Sequence, residues 1–343
     1  MSGCNCCNQE LLTQGFQWPA AIRIVQINSN DGAILQGWES SDGHLTLYAG
    51  NSGNLFVGGE KRSVTTRASS LTFTPTTSGT KVIQAIAEDG SGNIWMRTRR
   101  QSDDLSELYK FSSSAVVASG FPVSLGTGVE AVPQIGIVSG GVVVAQGLEP
   151  QLRLLTDGSV SATLGVRLLG VAHGTIVTDG ASAGLSPVIE HYDGSGALLW
   201  SVSHVGNWSG GASPTMGSPF PSTSDGVVVA GGDSYVMKLD SAGAFEWEVD
   251  LGADVYAILT DSAGIYCATR RDVTDSSDTA AFGVTKLDLN GNVVWRCRAL
   301  VGDDPNGDMG YTAYGGFNPL HVDPAGLIWL TVTSLTMTGV STP

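Results

Sequence analysis

The sequence predicts an all-β fold, and two observations carry that prediction. Of 343 residues, 46 are Gly and only 14% are charged, a profile that suits many short strands joined by tight turns. A phrase also recurs, as "HYDGSGALLW", "KLDSAGAFEW" and "KLDLNGNVVW", at a spacing of about 47 residues. Self-similarity at such a period marks an array of equivalent supersecondary units.

Aligned, the three phrases place an Asp (Asp193, Asp240, Asp288), then a Gly (Gly196, Gly243, Gly291), then a Trp (Trp200, Trp247, Trp295). Each reads as a hairpin: the Gly supplies positive φ in the turn, the Asp accepts turn amides, and the Trp packs between layers. Weaker copies are "VQINSNDGAILQGW", "LRLLTDGSVSATL" and, without its Gly, "LYKFSSSAVVASG". A second type of hairpin alternates with the first, as in "IAEDGSGNIWMRT", "ILTDSAGIYCATR" and "HVDPAGLIWLTV". These inner pairs begin near residues 44, 82, 131, 168, 212, 255 and 317, and the outer pairs near 22, 62, 106, 151, 188, 235 and 283. One inner plus one outer pair makes a four-stranded antiparallel blade, so the expected architecture is a seven-bladed β-propeller.

The chain opens on an outer pair and closes on an inner pair. Residues 21–40 are therefore expected to combine with 316–335 in one closing blade, which leaves no seam of unpaired edges. Residues 1–20 form a cysteine-bearing arm and 336–343 a tail. Cys267 and Cys297 fall on the second and fourth strands of one blade, about two strand spacings of 4.8 Å apart, too far for a disulfide. "SDDLSELYKF" begins like a helix but is short.

The formal net charge of −15 argues against a surface that tracks nucleic-acid phosphates. No basic patch followed by an apolar run opens the sequence, and no apolar stretch reaches membrane-span length, so the expectation is a cytoplasmic or virion protein.

The phrase apolar-x-Asp-x-x-Gly-x-apolar-x-Trp at 190–200, 238–247 and 286–295 resembles the repeat of the PQQ-like β-propeller superfamily. The resemblance implies that each Trp docks one blade on another, and it implies nothing about activity. Quinoprotein dehydrogenases of that superfamily have eight blades, a quinone site with Ca²⁺ and, in several members, a vicinal disulfide. Here Cys6 and Cys7 are adjacent but precede the first strand, and no Glu, Asn and Asp set stands in matching positions.

Connections within hairpins share one end of a propeller, and the others share the opposite end. The second set receives the long segments 99–107, 206–221, 270–281 and 301–316, and loops on one rim of a rigid scaffold are where binding resides. Candidate binding residues there are Trp208, Tyr311 and Tyr314, aromatics able to stack on sugars or dock on protein, with Asp272 and Asp275. Asp304, Asn306 and Asp308 have a spacing that can surround Ca²⁺, without the Gly and distal Glu of an EF-hand. Cys4, Cys6 and Cys7 are a candidate thiol site. The histidines show no close metal-binding pair, and no nucleophile elbow appears. The reading that follows is a non-enzymatic interaction propeller needing no cofactor, set in a larger assembly such as a phage virion and meeting other subunits through the loop end. The alternative is a carbohydrate-binding or glycan-processing propeller with a Ca²⁺ site, and the remote one a quinone-dependent dehydrogenase.

Overall fold

A computed structural model describes residues 21–32, 34–40, 47–50, 53–66, 68–127, 135–138, 141–146, 151–164, 167–172, 175–179, 188–203, 222–223, 226–230, 234–261, 263–271, 281–300, 320–323 and 325–334. The chain enters on β1 (Ala21–Asn28) and β2 (Ile34–Ser40). Six sheets of four consecutive strands follow. They are β3 (Leu47–Ala49), β4 (Asn54–Val57), β5 (Glu60–Ser63) and β6 (Ser69–Thr72); β7 (Lys81–Glu88), β8 (Ile94–Arg100), β9 (Leu105–Phe111) and β10 (Val123–Thr127); and β11 (Ile135–Val138), β12 (Gly141–Gln146), β13 (Gln151–Thr156) and β14 (Ser159–Leu164). Then come β15 (Arg167–Ala172), β16 (Thr175–Asp179), β17 (Val188–Tyr192) and β18 (Leu198–Ser203); β19 (Ser222–Thr223), β20 (Gly226–Ala230), β21 (Tyr235–Asp240) and β22 (Phe245–Asp250); and β23 (Asp254–Asp261), β24 (Gly264–Arg271), β25 (Ala281–Leu287) and β26 (Val293–Leu300). The last strands, β27 (Leu320–Val322) and β28 (Leu327–Ser334), join the first two in the order β2-β1-β28-β27. β1 and β28 pair from Ala21↔Ser334 to Asn28↔Leu327, so the first and last described strands meet in one sheet.

Both faces of these sheets are covered, which explains why runs such as Val142–Val144 are continuously apolar instead of alternating. Side chains still alternate in destination. Val142 and Val144 pack with Trp95 and Leu108 of the β7–β10 sheet, while Val143 packs with Ile176 on the other side. On β24, Ile265 and Cys267 join Val227 and Leu239 of the preceding sheet, whereas Tyr266 and Ala268 join Ile27, Leu320 and Ile328 of the sheet that holds both chain ends. The core is thus a series of layers between successive sheets. Innermost strands neighbour one another across these layers, β3 beside β27 and β7, β11 beside β7 and β15, and β23 beside β27. Cys267 and Cys297 are both buried and not joined in a disulfide, and they serve opposite faces of their sheet.

At three places the chain differs from expectation. The segment 99–107 is no long loop: β8 runs to Arg100, and residues 101–104 make a tight turn held by Arg99–Asp104 and Arg100–Asp103 ion pairs at 2.5 and 2.8 Å. Within "SDDLSELYKF", residues 102–104 belong to that turn and 105–111 are β9, the outer strand expected near residue 106. The two-residue β19 starts at Ser222, well after residue 212, which lies outside the described residues. The long excursion on the hairpin-turn side is instead 112–122, between β9 and β10. It begins on the common turn with Ala115 at φ 63° where other copies have Gly, and Ser112 Oγ accepts the Val116 amide in place of an Asp.

Candidate functional site

All the sequence-derived site residues, Trp208, Asp272, Asp275, Asp304, Asn306, Asp308, Tyr311 and Tyr314 at the loop end and Cys4, Cys6 and Cys7 in the arm, lie outside the described residues. What is described is the frame that presents them: residues 204–221, 272–280 and 301–319 all join strands at one end of the sheets.

At the opposite end the repeated phrase performs a structural task. Asp240 Oδ1 accepts the amides of Ala242 and Ala244 at 2.8 Å, and the Gly243 amide donates to the Asp240 carbonyl at 3.0 Å. Asp193 and Asp288 build the same turn. The Ser195 hydroxyl and turn amides hold the Asp193 carboxyl below its usual range, and the Asn292 side chain and amide do so for Asp288. The inner hairpins vary the device. Trp95 Nε1 donates to Asp89 Oδ2 at 3.0 Å, and Trp329 Nε1 to Asp323 Oδ2 at 3.0 Å, so one carboxylate caps a turn and anchors a buried indole.

The outer Trp residues reach forward to the next sheet. Trp247 Nε1 donates to the Leu289 carbonyl at 3.2 Å, and Trp295 Nε1 to the Ser29 carbonyl at 3.1 Å. Each ring lies under the next turn's glycine. A Cβ on Gly291 would stand 2.9 Å from the Trp247 ring, and one on Gly243 2.9 Å from that of Trp200. Gly291 has φ +84°, and so does Gly53 have a left-handed φ, +71°, but with nothing within 4 Å of its would-be Cβ. Gly53→Ala is expected to cost about 1–2 kcal/mol from the left-handed backbone alone. Gly291→Ala adds displacement of Trp247 and loss of its hydrogen bond, roughly another 0.5–1.5 kcal/mol, visible as a larger drop in the urea midpoint with a red shift of Trp emission. Equal losses for the two variants would contradict docking.

His191 breaks the pattern. It pairs with Trp200 where Lys238 pairs with Trp247 and Lys286 with Trp295. Lys286 Nζ donates to the Ser29 carbonyl at 2.9 Å and Lys238 ion-pairs with Glu246 at 2.9 Å. His191 is buried against Trp200, ring centroids 5.0 Å apart, and among the described residues neither of its nitrogens nor Trp200 Nε1 has a hydrogen-bond partner. Burial lowers its pKa from the ordinary 6.5. The unfolded chain therefore takes up a proton first, so this contribution to stability is whole above pH 6.5 and is lost as pH falls through the lower folded value. His191→Phe is expected to flatten the fall in urea midpoint between about pH 7.5 and 5.5; an unchanged slope would refute it.

At the loop end of the β7–β10 sheet the structure assembles a cluster that sequence reading missed. Lys81 Nζ contacts the Glu107 carboxylate and Thr77 Oγ1, and lies 3.1 Å from Tyr109 Oη. Thr77 Oγ1 and Tyr109 Oη are 2.7 Å apart. Burial alone would raise the pKa of Glu107, but the hydrogen bonds from Lys81 and Thr77 with the lysine charge leave it lowered. Every member is paired with another, which suits a fastening between β7 and β9. Nearby Arg97 is fully buried, which draws its guanidinium down to about 9. Among the described residues no group of three His, Cys, Asp or Glu could hold a metal ion.

No family model matches the sequence, and no curated protein does. Solved structures do match. A chain of the mitotic checkpoint complex is 11% identical over 94% of this chain and 98% of that one, TM-score 0.51. One of two prolyl endopeptidases is 14% identical over 73% of this chain, TM-score 0.50, and the match spans only 42% of the endopeptidase chain. A putative TolB from Agrobacterium tumefaciens is 11% identical over 92% and 98%, TM-score 0.48. The shared fold is a β-propeller. At these identities the likeness is one of fold alone.

Proposed function

We propose that the chain is a seven-bladed, closed propeller of the PQQ-like type acting as a non-enzymatic binding scaffold in a larger protein assembly, and that it meets its partners through the loop end. The observation that carries this reading is the union of β1 with β28, which puts the first and last described strands in one four-stranded sheet. With the neighbouring innermost strands, it supports a rigid ring from whose one end the segments 204–221, 272–280 and 301–319 depart. The disposition of reactive groups supports binding over chemistry. The Asp residues of the turns cap backbone, Lys81 and Glu107 hold each other, and Cys267 is buried with its thiol pKa pushed up. A virion is one such assembly. In the test, particles or complexes isolated from the source are analysed by native mass spectrometry. The chain is expected in a species larger than its own 35.5 kDa, and W208A/Y311A/Y314A is expected to release it. A chain recovered solely as a monomer overturns the reading, and glycan binding that chelation abolishes would put a Ca²⁺-dependent lectin with Asp304, Asn306 and Asp308 in its place.

A further inference from the structure

The exposed large apolar side chains of the described residues are gathered at the tips of the outer hairpins, at the end of the sheets opposite the long loops. Leu198 and Leu199 project from the tip of the β15–β18 sheet, Phe245 from the next, and Leu289, Val293 and Val294 from the third. Leu198, Leu199 and Val294 are each 53% exposed. The tips stand shoulder to shoulder, because Trp200 lies against Gly243, Trp247 against Gly291 and Trp295 against Gly32. The row thereby continues to Leu35, also exposed, on the sheet that holds both chain ends. Each tip belongs to an outermost strand, β18, β22, β26 or β2, whose far edge is unpaired in its sheet. Exposed apolar side chains gathered on neighbouring tips in this way mark an interaction site.

Charge tells what kind of partner fits. Segments 193–199, 240–247 and 288–295 contain Asp193, Asp240, Glu246 and Asp288 and no Lys or Arg. In Asp193 and Asp240 it is Oδ1 that takes the turn amides. The two lysines of these hairpins, Lys238 and Lys286, are buried behind the turns on Glu246 and the Ser29 carbonyl. Arg296 lies farther along β26, near Asp250, whose carboxyl is held low first by the Ser234 hydroxyl and the Gly252 amide and last by this arginine. An apolar row edged by carboxylates repels a second copy of a chain of net charge −15 and attracts the opposite sign.

We propose that this rim is a docking surface for a basic segment of a partner protein, which sets Lys or Arg against Asp193, Asp240 and Asp288 and apolar side chains against Leu198, Leu199, Phe245 and Val294. It is separate from the loop end and does not depend on the function proposed for it. The test uses the full chain and a fluorescent peptide of alternating Lys and Leu, with Lys/Ser and Glu/Leu peptides as controls, followed by anisotropy at low and high salt. The Lys/Leu peptide is expected to bind at least about tenfold more tightly than either control, and more weakly in high salt. L198S/L199S/F245S/V294S and D193N/D240N/D288N are each expected to lose about tenfold or more of that affinity, the Asn residues keeping the turn acceptors. Hydrogen exchange on the unaltered chain provides a readout that needs no variant: added peptide is expected to protect 193–199, 240–247 and 288–295. Protection confined elsewhere, equal binding of the Lys/Ser peptide, no binding, or unchanged affinity in both variants would overturn the proposal. So would a homodimer by light scattering that the serine variant makes monomeric, since a second copy would then be the occupant.

Discussion

Trp329→Ala is expected to cost about 3–5 kcal/mol of unfolding free energy, the largest loss from any single apolar truncation among the described residues. Trp329 is fully buried on β28, the strand that pairs with β1 on one side and β27 on the other. Its removal opens a cavity in the one sheet built from both chain ends, where there is no covalent connection between the middle strands to limit the separation. It also strips a donor from Asp323, which is buried and whose Oδ1 already takes the Ala325 and Leu327 amides at 2.9 Å. Trp329→Phe separates these contributions, since it keeps most of the volume and loses the Nε1 bond, for about 1–2 kcal/mol. Urea unfolding of both variants checks the order. If Ala costs no more than Phe, the packing of β28 does not hold the chain ends together.

How far the sequence announces this structure depends on whether a residue answers a local or a distant need. Asp240, Gly243 and Trp247 are legible because each does one thing within or next to its own hairpin: cap, turn, dock. Repetition then places every copy in register, and all seven outer strand pairs start within two residues of their expected positions. The turn at 112–116 was legible only as a degraded copy, because Ala115 and Ser112 perform the tasks of Gly and Asp without resembling them, and nothing in that copy announces the further residues up to 122 that precede β10. The exposed row was hidden for a different reason. Leu198, Phe245 and Val293 read as ordinary alternating strand residues, and their exposure follows from the outermost place of β18, β22 and β26, which emerges only when the sheets are assembled. The Lys81 cluster draws on residues 77, 81, 107 and 109, a spacing with no motif, brought together by the pairing of β7 and β9 with β8.

That cluster carries the second large effect. The side chains of Lys81 and Glu107 are 6% and 7% exposed, so removing one partner strands a charge that water cannot reach. Lys81→Met is expected to destabilise the protein by about 3–5 kcal/mol at neutral pH, while the double replacement Lys81→Met with Glu107→Leu recovers most of the loss, because a buried pair exchanged for apolar groups is often close to neutral. The pH dependence identifies the cause. In the native chain the Glu107 pKa is lowered from 4.5, so its contribution is whole above that value and is lost as pH falls through the folded one. Without Lys81, burial, the largest influence on Glu107, is opposed only by the Thr77 and Tyr109 hydroxyls, and it is expected to raise the folded value above the unfolded one. The sign then reverses: the variant's penalty shrinks as acidification lets Glu107 take up a proton in the folded state. Urea midpoints at about pH 7.5 and 5 for the native chain, the single and the double variant test this together. A penalty for Lys81→Met that is the same at both pH values, or a double variant as unstable as the single one, would mean that lost packing of the lysine stem, and not a stranded carboxylate, accounts for the effect.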